Sequence, residues 1–209
     1  MSDQLQINST SVLAVEGKDE TNFFAALLEN QNIIGVQVVD IGGKDKFSAS
    51  FRALANIEEF KNITRLGVVR DAESNLALSA FQSICGVLKQ TQLPVPRQPG
   101  QVTAGTMPLV GIYIMPDNRG TGMLEDLCLQ TVQEQPVNSC IEDYLECFLK
   151  YHSEKEKKRI NRSKSRVMAY LATRSPIVNS LGLGAKEGYW DFTHPCFDDL
   201  KKFLESLYR

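Results

Sequence analysis

The sequence predicts an α/β fold in which helices flank a mostly parallel central sheet of about four strands, with a helical extension at the C-terminus. Short apolar runs, which fit strands buried on both faces, alternate with amphipathic segments of helical periodicity. The connections between successive runs are too long for hairpins and suit crossovers between parallel strands. From about residue 139 only helical patterns follow. We therefore predict an α/β domain over residues 1–138 and a helical C-terminal extension packed on it over residues 139–209.

The order of the elements follows from the same patterns. The predicted strands are residues 11–15, 33–41, 63–71 and 109–117. The predicted helices are residues 18–30, 47–60, 74–90, 122–132, 140–152 and 197–208. The glycine-rich stretch "LGLGAKEG" (residues 181–188) lacks the spacing of a phosphate-binding P-loop, so we interpret it as a turn region.

Acidic residues follow the predicted strands. Glu16 follows the first strand, Asp71 and Glu73 the third, and Asp117 the fourth. Ligands of doubly wound sheets bind beyond the carboxyl ends of the strands, so these side chains are expected at the binding edge. Glu20 lies four residues after Glu16, and helical side chains tilt toward the helix N-terminus, so its carboxylate should project back to the same edge.

A cluster of carboxylates at this edge favours a metal site. Neighbouring carboxylates raise one another's pKa unless a cation neutralises them, and ligands that are all oxygen select Mg²⁺ or Mn²⁺. Two such ions suit in-line attack on a phosphodiester. Each residue also has an ordinary explanation: Asp19 and Glu20 stabilise a helix N-terminus, and Asp71 and Asp117 cap the following helices. That explanation is the stronger one for any single residue, and the metal site is the stronger one for the set.

The loop "DIGGKDKF" (residues 40–47) is a second feature of the predicted edge. Its two glycines let backbone amides approach an anion, and Lys44 or Lys46 could contact a phosphate. Gly-Gly-Lys is also an ordinary turn sequence.

The charge distribution is uneven. The net charge is −2, yet residues 150–174 carry nine Lys/Arg and two Glu, so this segment is +7 and the remainder is −9. A basic stripe on an acidic protein predicts contact with the phosphate backbone of a nucleic acid. A solvated helix face is the alternative. The candidate contacts are Lys155, Lys158, Arg159, Arg162, Lys164 and Arg166.

Composition restricts the cellular location. No window approaches eighteen apolar residues, and the N-terminus lacks the basic and apolar regions of a secretory signal. The five cysteines form no CxxC pair, which is typical of reduced thiols. We therefore expect a cytoplasmic protein without a membrane span.

Two motifs resemble the Toprim domain. They are "VLAVEGKDETNFF" and "GVVRDAES", with the glycine-lysine loop between them. The family has Glu-Gly after its first strand, which Glu16-Gly17 matches, and Asp-x-Asp after a later strand. Asp71-Ala72-Glu73 matches the second motif with Glu in the last position. The resemblance covers about residues 10–130 and is greatest to the OLD (overcoming lysogenization defect) nuclease branch and related small Toprim-like proteins.

The resemblance implies a Toprim-like Rossmannoid fold and two divalent metals, Mg²⁺ or Mn²⁺. It places Glu16, Glu20, Asp71 and Glu73 as ligands, with Asp117 or Glu125 as a further acidic contributor. A lysine assists in OLD-type enzymes, and we assign that role to Lys44. Glu16, Asp71 and Lys44 are then the catalytic residues.

The implied activity is metal-dependent hydrolysis of DNA or RNA, in phage defence or nucleic-acid processing. Full-length OLD enzymes carry an ATPase module that this sequence lacks, so the chain is expected to be either a stand-alone nuclease or the effector half of a system with an ATPase partner protein, and it could form an oligomer. The alternative is a non-catalytic Toprim module that binds nucleic acid or a partner protein. Glu73 in place of Asp favours the alternative slightly, while the full acidic set opposes it.

Overall fold

Four strands form one all-parallel sheet in the computed structural model, which describes residues 6–43 and 46–209. They are β1 (Ser11–Val15), β2 (Val36–Asp40), β3 (Arg65–Asp71) and β4 (Leu109–Met115), in the spatial order β2-β1-β3-β4. The sheet is flanked by helices, and a helix ends the chain. This arrangement confirms the predicted α/β class and is consistent with a Rossmann-like fold.

The helices agree with most of the predicted segments. They are α1 (Lys18–Asn30), α2 (Phe47–Ala55), α3 (Ala77–Gln90), α4 (Leu124–Gln130), α5 (Pro136–Leu149), α6 (Glu154–Lys157), α7 (Arg162–Leu171), α8 (Leu181–Lys186) and α9 (Asp198–Tyr208). Short 3₁₀ turns occupy Glu58–Asn62 and Pro195–Phe197. The second predicted helix therefore ends at Ala55, and its last residues form a separate 3₁₀ turn.

Each face of the sheet has its own apolar core. Val12, Ala14, Leu66 and Val68 pack with the apolar residues of α2 and α3. On the opposite face, Leu13 and its neighbours pack with residues of α1, α4, α5, α7, α8 and α9. Alternate strand residues point to opposite faces, which explains why the strand sequences are apolar throughout.

The C-terminal helix α9 lies against the middle of the sheet. The hydroxyl of Tyr208 donates a hydrogen bond to the carbonyl of Val12, at 2.7 Å. A Cβ atom on Gly67 of β3 would lie 2.6 Å from that hydroxyl, so glycine leaves the space that Tyr208 needs. The end of the chain is thus part of the packing around β1 and β3.

The interpretation of residues 181–188 as a turn region is wrong, because Leu181–Lys186 form helix α8. The Ser180 hydroxyl caps this helix by accepting from the Leu183 N–H. The carboxylate of Asp19 accepts from the N–H groups of Leu181 and Gly182. A Cβ atom on Gly182 would lie 2.2 Å from the Asp19 carbonyl oxygen, so the glycine serves close packing of α8 on α1.

The described helices include none that combines the length and the apolar character needed to cross a bilayer.

Candidate metal site at the carboxyl edge of the sheet

Glu16 and Arg70 form a buried ion pair at the ends of β1 and β3. Ala14 pairs with Val68 in the sheet, so two residues further along Glu16 lies level with Arg70. The Arg70 Nε donates to Glu16 Oε1 at 2.8 Å, and the arginine side chain is only 5% exposed. Burial raises the pKa of Glu16 to about 7 although Arg70 acts to lower it, and the charges of Glu73 and Glu20 raise it further.

Asp71 is the last residue of β3 and faces the start of α4. Its Oδ1 accepts a hydrogen bond from the Leu124 N–H at 3.1 Å. Burial raises the pKa of Asp71 well above its usual range, and the charges of Glu16, Glu125 and Glu20 act in the same direction. The bond from Leu124 opposes this shift only in part.

The carboxylate of Glu20 reaches back from α1 toward the end of β1, as its position in the sequence predicts. A Cβ atom on Gly17 would lie 2.7 Å from Glu20 Oε2, so the carboxylate lies directly over Gly17. Burial raises the pKa of Glu20, and the charges of Asp19 and Glu125 add to the effect. Glu20 therefore belongs to the same electrostatic group as Asp71.

Glu125 joins this group from the first turn of α4. The residue is 9% exposed, and its Oε1 lies 3.5 Å from the Nζ atom of Lys164 on α7. Partial burial acts to lower the pKa of Lys164, but the charges of Glu125, Glu20 and Asp71 raise it above its ordinary value. Lys164, a candidate nucleic-acid contact by sequence, thus lies beside the acidic residues.

We call Glu16, Glu20, Asp71 and Glu125 the carboxylate cluster. The remaining site candidates lie differently. Glu73 is half-buried, with a φ of +56° and a backbone pairing to Gly122, and its charge acts on Glu16. Asp117 accepts from the N–H groups of Arg119 and Gly120, both at 2.9 Å, and so closes the loop after β4. Lys44 lies outside the described residues.

Sequence reasoning missed Arg70. A signal for it exists in hindsight: an arginine beside the end of an otherwise apolar strand must find a partner when the strand is buried, and Glu16 is the neighbouring acid. The guanidinium also lies over the ring of Phe47, with its carbon 5.3 Å from the ring centroid. Arg70 is thus held on two sides at the edge of the carboxylate cluster.

The donor chemistry of the cluster fits a hard divalent cation. Glu125 is buried and the other three carboxylates are half-buried, and the cations that the structure pairs with the cluster are Arg70, at Glu16, and Lys164, at Glu125. Within residues 6–43 and 46–209, however, no three His, Cys, Asp or Glu side chains are placed to hold a metal ion together. Mg²⁺ keeps several waters and needs only one or two carboxylates. For this ion the concentration of negative charge in the cluster is therefore more relevant than the absence of three ligands placed together among the described residues.

A small cavity adjoins the cluster. It has a volume of about 170 Å³ and is lined by Arg70, Asp71, Glu73, Ser79 and Ser83, among others. This space suffices for a few water molecules beside the acids. A larger cleft of about 920 Å³ lies elsewhere, where Arg174, Tyr189 and Trp190 form part of its wall, and no member of the carboxylate cluster lines it.

The predicted nucleic-acid contacts divide into paired and unpaired residues. Arg162 is bound to Glu146, and Arg166 Nη2 donates to Glu142 Oε2 at 2.7 Å. Lys155, Lys158 and Arg159 are exposed. In the described part of the chain, these three side chains form no ion pair.

Residues 10–209 match the family described as "Protein of unknown function (DUF3226)". The chain belongs to this family. No curated protein matches the chain.

Two solved structures of the C-terminal region of the OLD protein of Xanthomonas campestris pv. campestris are similar to the chain. The one phased with mercury has 15% sequence identity and a TM-score of 0.40, and the match covers 96% of this chain and 87% of that one. The one phased with platinum has 15% identity and a TM-score of 0.39, with 95% and 83% covered. So low a similarity says nothing about activity, and the Toprim identification stays a prediction.

Proposed function

We propose that the carboxylate cluster binds Mg²⁺ or Mn²⁺ and that the protein is a metal-dependent nuclease acting on DNA or RNA. The observation that supports this most is the grouping of the half-buried Glu16, Glu20 and Asp71 with the buried Glu125, in surroundings that raise the pKa of the first three through desolvation. Buried acids of this kind are costly unless a cation neutralises them. A bound divalent ion would supply that charge.

In this proposal Glu16 and Asp71 hold one cation, and Glu20 and Glu73 hold a second, with Glu125 beside them. When bound, the cations would activate the attacking water and stabilise the leaving oxygen. Glu16 would contribute its carboxylate to the cation while Arg70 donates to its Oε1. The same arginine orients the Glu16 carboxylate and keeps part of its charge compensated. Lys164 compensates part of the charge of Glu125 in the same way.

The substrate backbone would contact the unpaired cations Lys155, Lys158 and Arg159. After these residues the chain passes close to the start of α4, which carries Glu125. There the Asn161 side-chain amide lies 3.4 Å from the Met123 sulfur. Arg162 and Arg166 contribute less in this proposal, since their charges are bound to Glu146 and Glu142. Contacts to phosphates position a nucleic acid without reading its sequence.

The test is cleavage of plasmid DNA, single-stranded DNA and total RNA, with Mg²⁺, with Mn²⁺ and with chelator. Glu16→Gln and Asp71→Asn should each reduce metal-dependent cleavage at least a hundredfold, whereas Glu59→Gln, a change at an exposed glutamate of the 3₁₀ turn, should leave it unchanged. Cleavage that survives both cluster substitutions would contradict the mechanism. Metal binding without any cleavage would favour the non-catalytic alternative.

A further inference from the structure

Aromatic rings form a row on the exposed side of α5 and just beyond its end. The ring centroids of Tyr144 and Phe148 are 6.4 Å apart, with planes inclined by 23°, and those of Phe148 and His152 are 4.2 Å apart. Tyr144 is 61% exposed, Phe148 38% and Tyr151 84%. We call Tyr144, Phe148, Tyr151 and His152 the aromatic row.

The aromatic row is not needed for packing. The buried residues of α5 are Ile141, Leu145 and Leu149, which belong to the core. The rings lie outside this apolar stripe. Phe148 contacts the rings of Tyr144 and His152, and the ring nitrogen Nδ1 of His152 is 3.0 Å from the carbonyl oxygen of Phe148. Tyr151 follows the end of α5 as a further exposed ring. Several exposed rings that contact one another are a sign of a binding surface.

The charges next to the aromatic row favour a polyanion. The row ends where the segment with Lys150, Lys155, Lys158 and Arg159 begins. Nearby acids are engaged: Glu154 binds Lys157 at 2.7 Å, the Glu156 carboxylate accepts from the N–H and hydroxyl of Ser153, and Glu146 binds Arg162. The exposed Asp143 offsets one positive charge, and the four cations named above still leave an excess of positive charge beside the aromatic row.

The aromatic row is connected to the candidate metal site through the same helical hairpin. The basic segment joins α5 to α7, and α7 carries Lys164, which contacts Glu125 of the carboxylate cluster. A chain bound along the row and the basic segment would therefore be directed toward the cluster.

We propose that the aromatic row and the adjoining cations bind single-stranded nucleic acid, with bases stacked on Tyr144 and Tyr151. The inference rests on the proposed function, whose substrate class it narrows. In a duplex the base faces are already stacked on each other, whereas a single strand offers them to aromatic side chains. Lys155, Lys158 and Arg159 bind phosphates of the same strand next to the aromatic row.

The test is fluorescence anisotropy of a labelled single-stranded oligonucleotide and of the matching duplex, with the whole chain in chelator so that no cleavage occurs. The wild type should bind the single strand more tightly. The double substitution Tyr144→Ala/Tyr151→Ala should weaken single-strand binding about tenfold or more, because each stacked base contributes substantially. Tyr144→Phe/Tyr151→Phe should retain the affinity, as should the control Ile34→Ala/Ile177→Ala, which alters two exposed apolar residues elsewhere.

Unchanged single-strand affinity in the alanine variant would overturn this inference, and so would tighter binding of the duplex by the wild type. A dimer that the alanine variant dissociates, with no loss of oligonucleotide affinity, would assign the aromatic row to a second copy of the chain instead. These readouts need no catalysis. The proposed function fails separately, if cleavage survives Glu16→Gln and Asp71→Asn.

Discussion

The carboxylate cluster and the basic segment of residues 150–174 are both predicted from concentrated charge, yet the structure treats them in opposite ways. The acids are buried or half-buried at the ends of β1 and β3 and in the first turns of α1 and α4, and two of them, Glu16 and Glu125, are paired with Arg70 and Lys164. The basic residues lie on the surface, and several are bound to neighbouring acids. The number of charges in a sequence segment therefore does not indicate how those charges are paired until their burial is known.

Burial changes what each charge does. Interactions among buried carboxylates are weakly screened, so the charges of Glu20 and Glu125 reach Asp71 and raise its pKa. In the basic segment water and salt screen the charges, and an exposed ion pair contributes about 1 kcal/mol or less. The cluster should therefore respond strongly to single substitutions, and the basic segment should respond weakly in stability but clearly in binding.

The largest effect is expected for Arg70→Ala. The substitution leaves Glu16 buried without its partner, which should lower the free energy of unfolding by about 4 kcal/mol at pH 8. Urea denaturation measures this, with Arg97→Ala at an exposed position as the control. The double variant Glu16→Gln/Arg70→Met removes both charges, so its free energy of unfolding should fall by less than that of Arg70→Ala. An equal loss in both would show that the arginine acts through its packing on Phe47.

The pH dependence of stability should be the next largest effect. Because the pKa of Glu16 rises from 4.5 in the unfolded chain to about 7, the folded chain binds the proton more tightly. Stability should fall as the pH rises from about 4.5 to 7, by roughly 3 kcal/mol for this group alone, and then level off. Asp71 and Glu20 shift in the same direction.

Thermal unfolding without metal between pH 5 and pH 8 tests this expectation. Glu16→Gln should flatten the profile, and Mn²⁺ should raise the melting temperature more at pH 8 than at pH 5. A stability that increases across this range would contradict the burial of an under-neutralised cluster.

The paired and unpaired cations of the basic segment should differ in nucleic-acid binding. The triple variant Lys155→Gln/Lys158→Gln/Arg159→Gln should weaken binding about tenfold. It should also reduce the slope of log affinity against log salt, by about 0.7 for each phosphate of a single strand that the variant no longer neutralises. Arg162→Gln/Arg166→Gln should change that slope less. Titrations at several salt concentrations measure both, and equal slopes would show that the pairs with Glu146 and Glu142 open on binding.

The smallest effect is expected for Glu146→Ala. Its pair with Arg162 lies at the surface, and both side chains are about half exposed. The loss of unfolding free energy should be small, because water and salt screen an exposed ion pair. Urea denaturation of this variant beside Arg70→Ala compares the two regions directly, and similar losses would refute the contrast between them.

The strands and most helices could be predicted because their apolar periodicity is a local property of the chain. Helix α1 begins at Lys18 and ends at Asn30 as predicted. Helix α8 could not be predicted, since its close packing and the acceptor for its first two N–H groups are supplied by Asp19, more than a hundred residues away, and only its Ser180 cap is local. For the site, the strand-end positions of Glu16 and Asp71 and the four-residue spacing from Glu16 to Glu20 predict that these three lie at one edge. The pairing of Arg70 with Glu16 depends on the register between β1 and β3 and is not visible in the local sequence.

The contact between Tyr208 and Val12 has a consequence for the order of folding. The bond joins residues 196 positions apart, and it brings the last turn of α9 onto the central strand β1. Closing so long a loop carries an entropic cost before the contact can stabilise the chain, so we expect this layer to form late in folding. A variant truncated before α9 should leave one face of the sheet uncovered and aggregate through it.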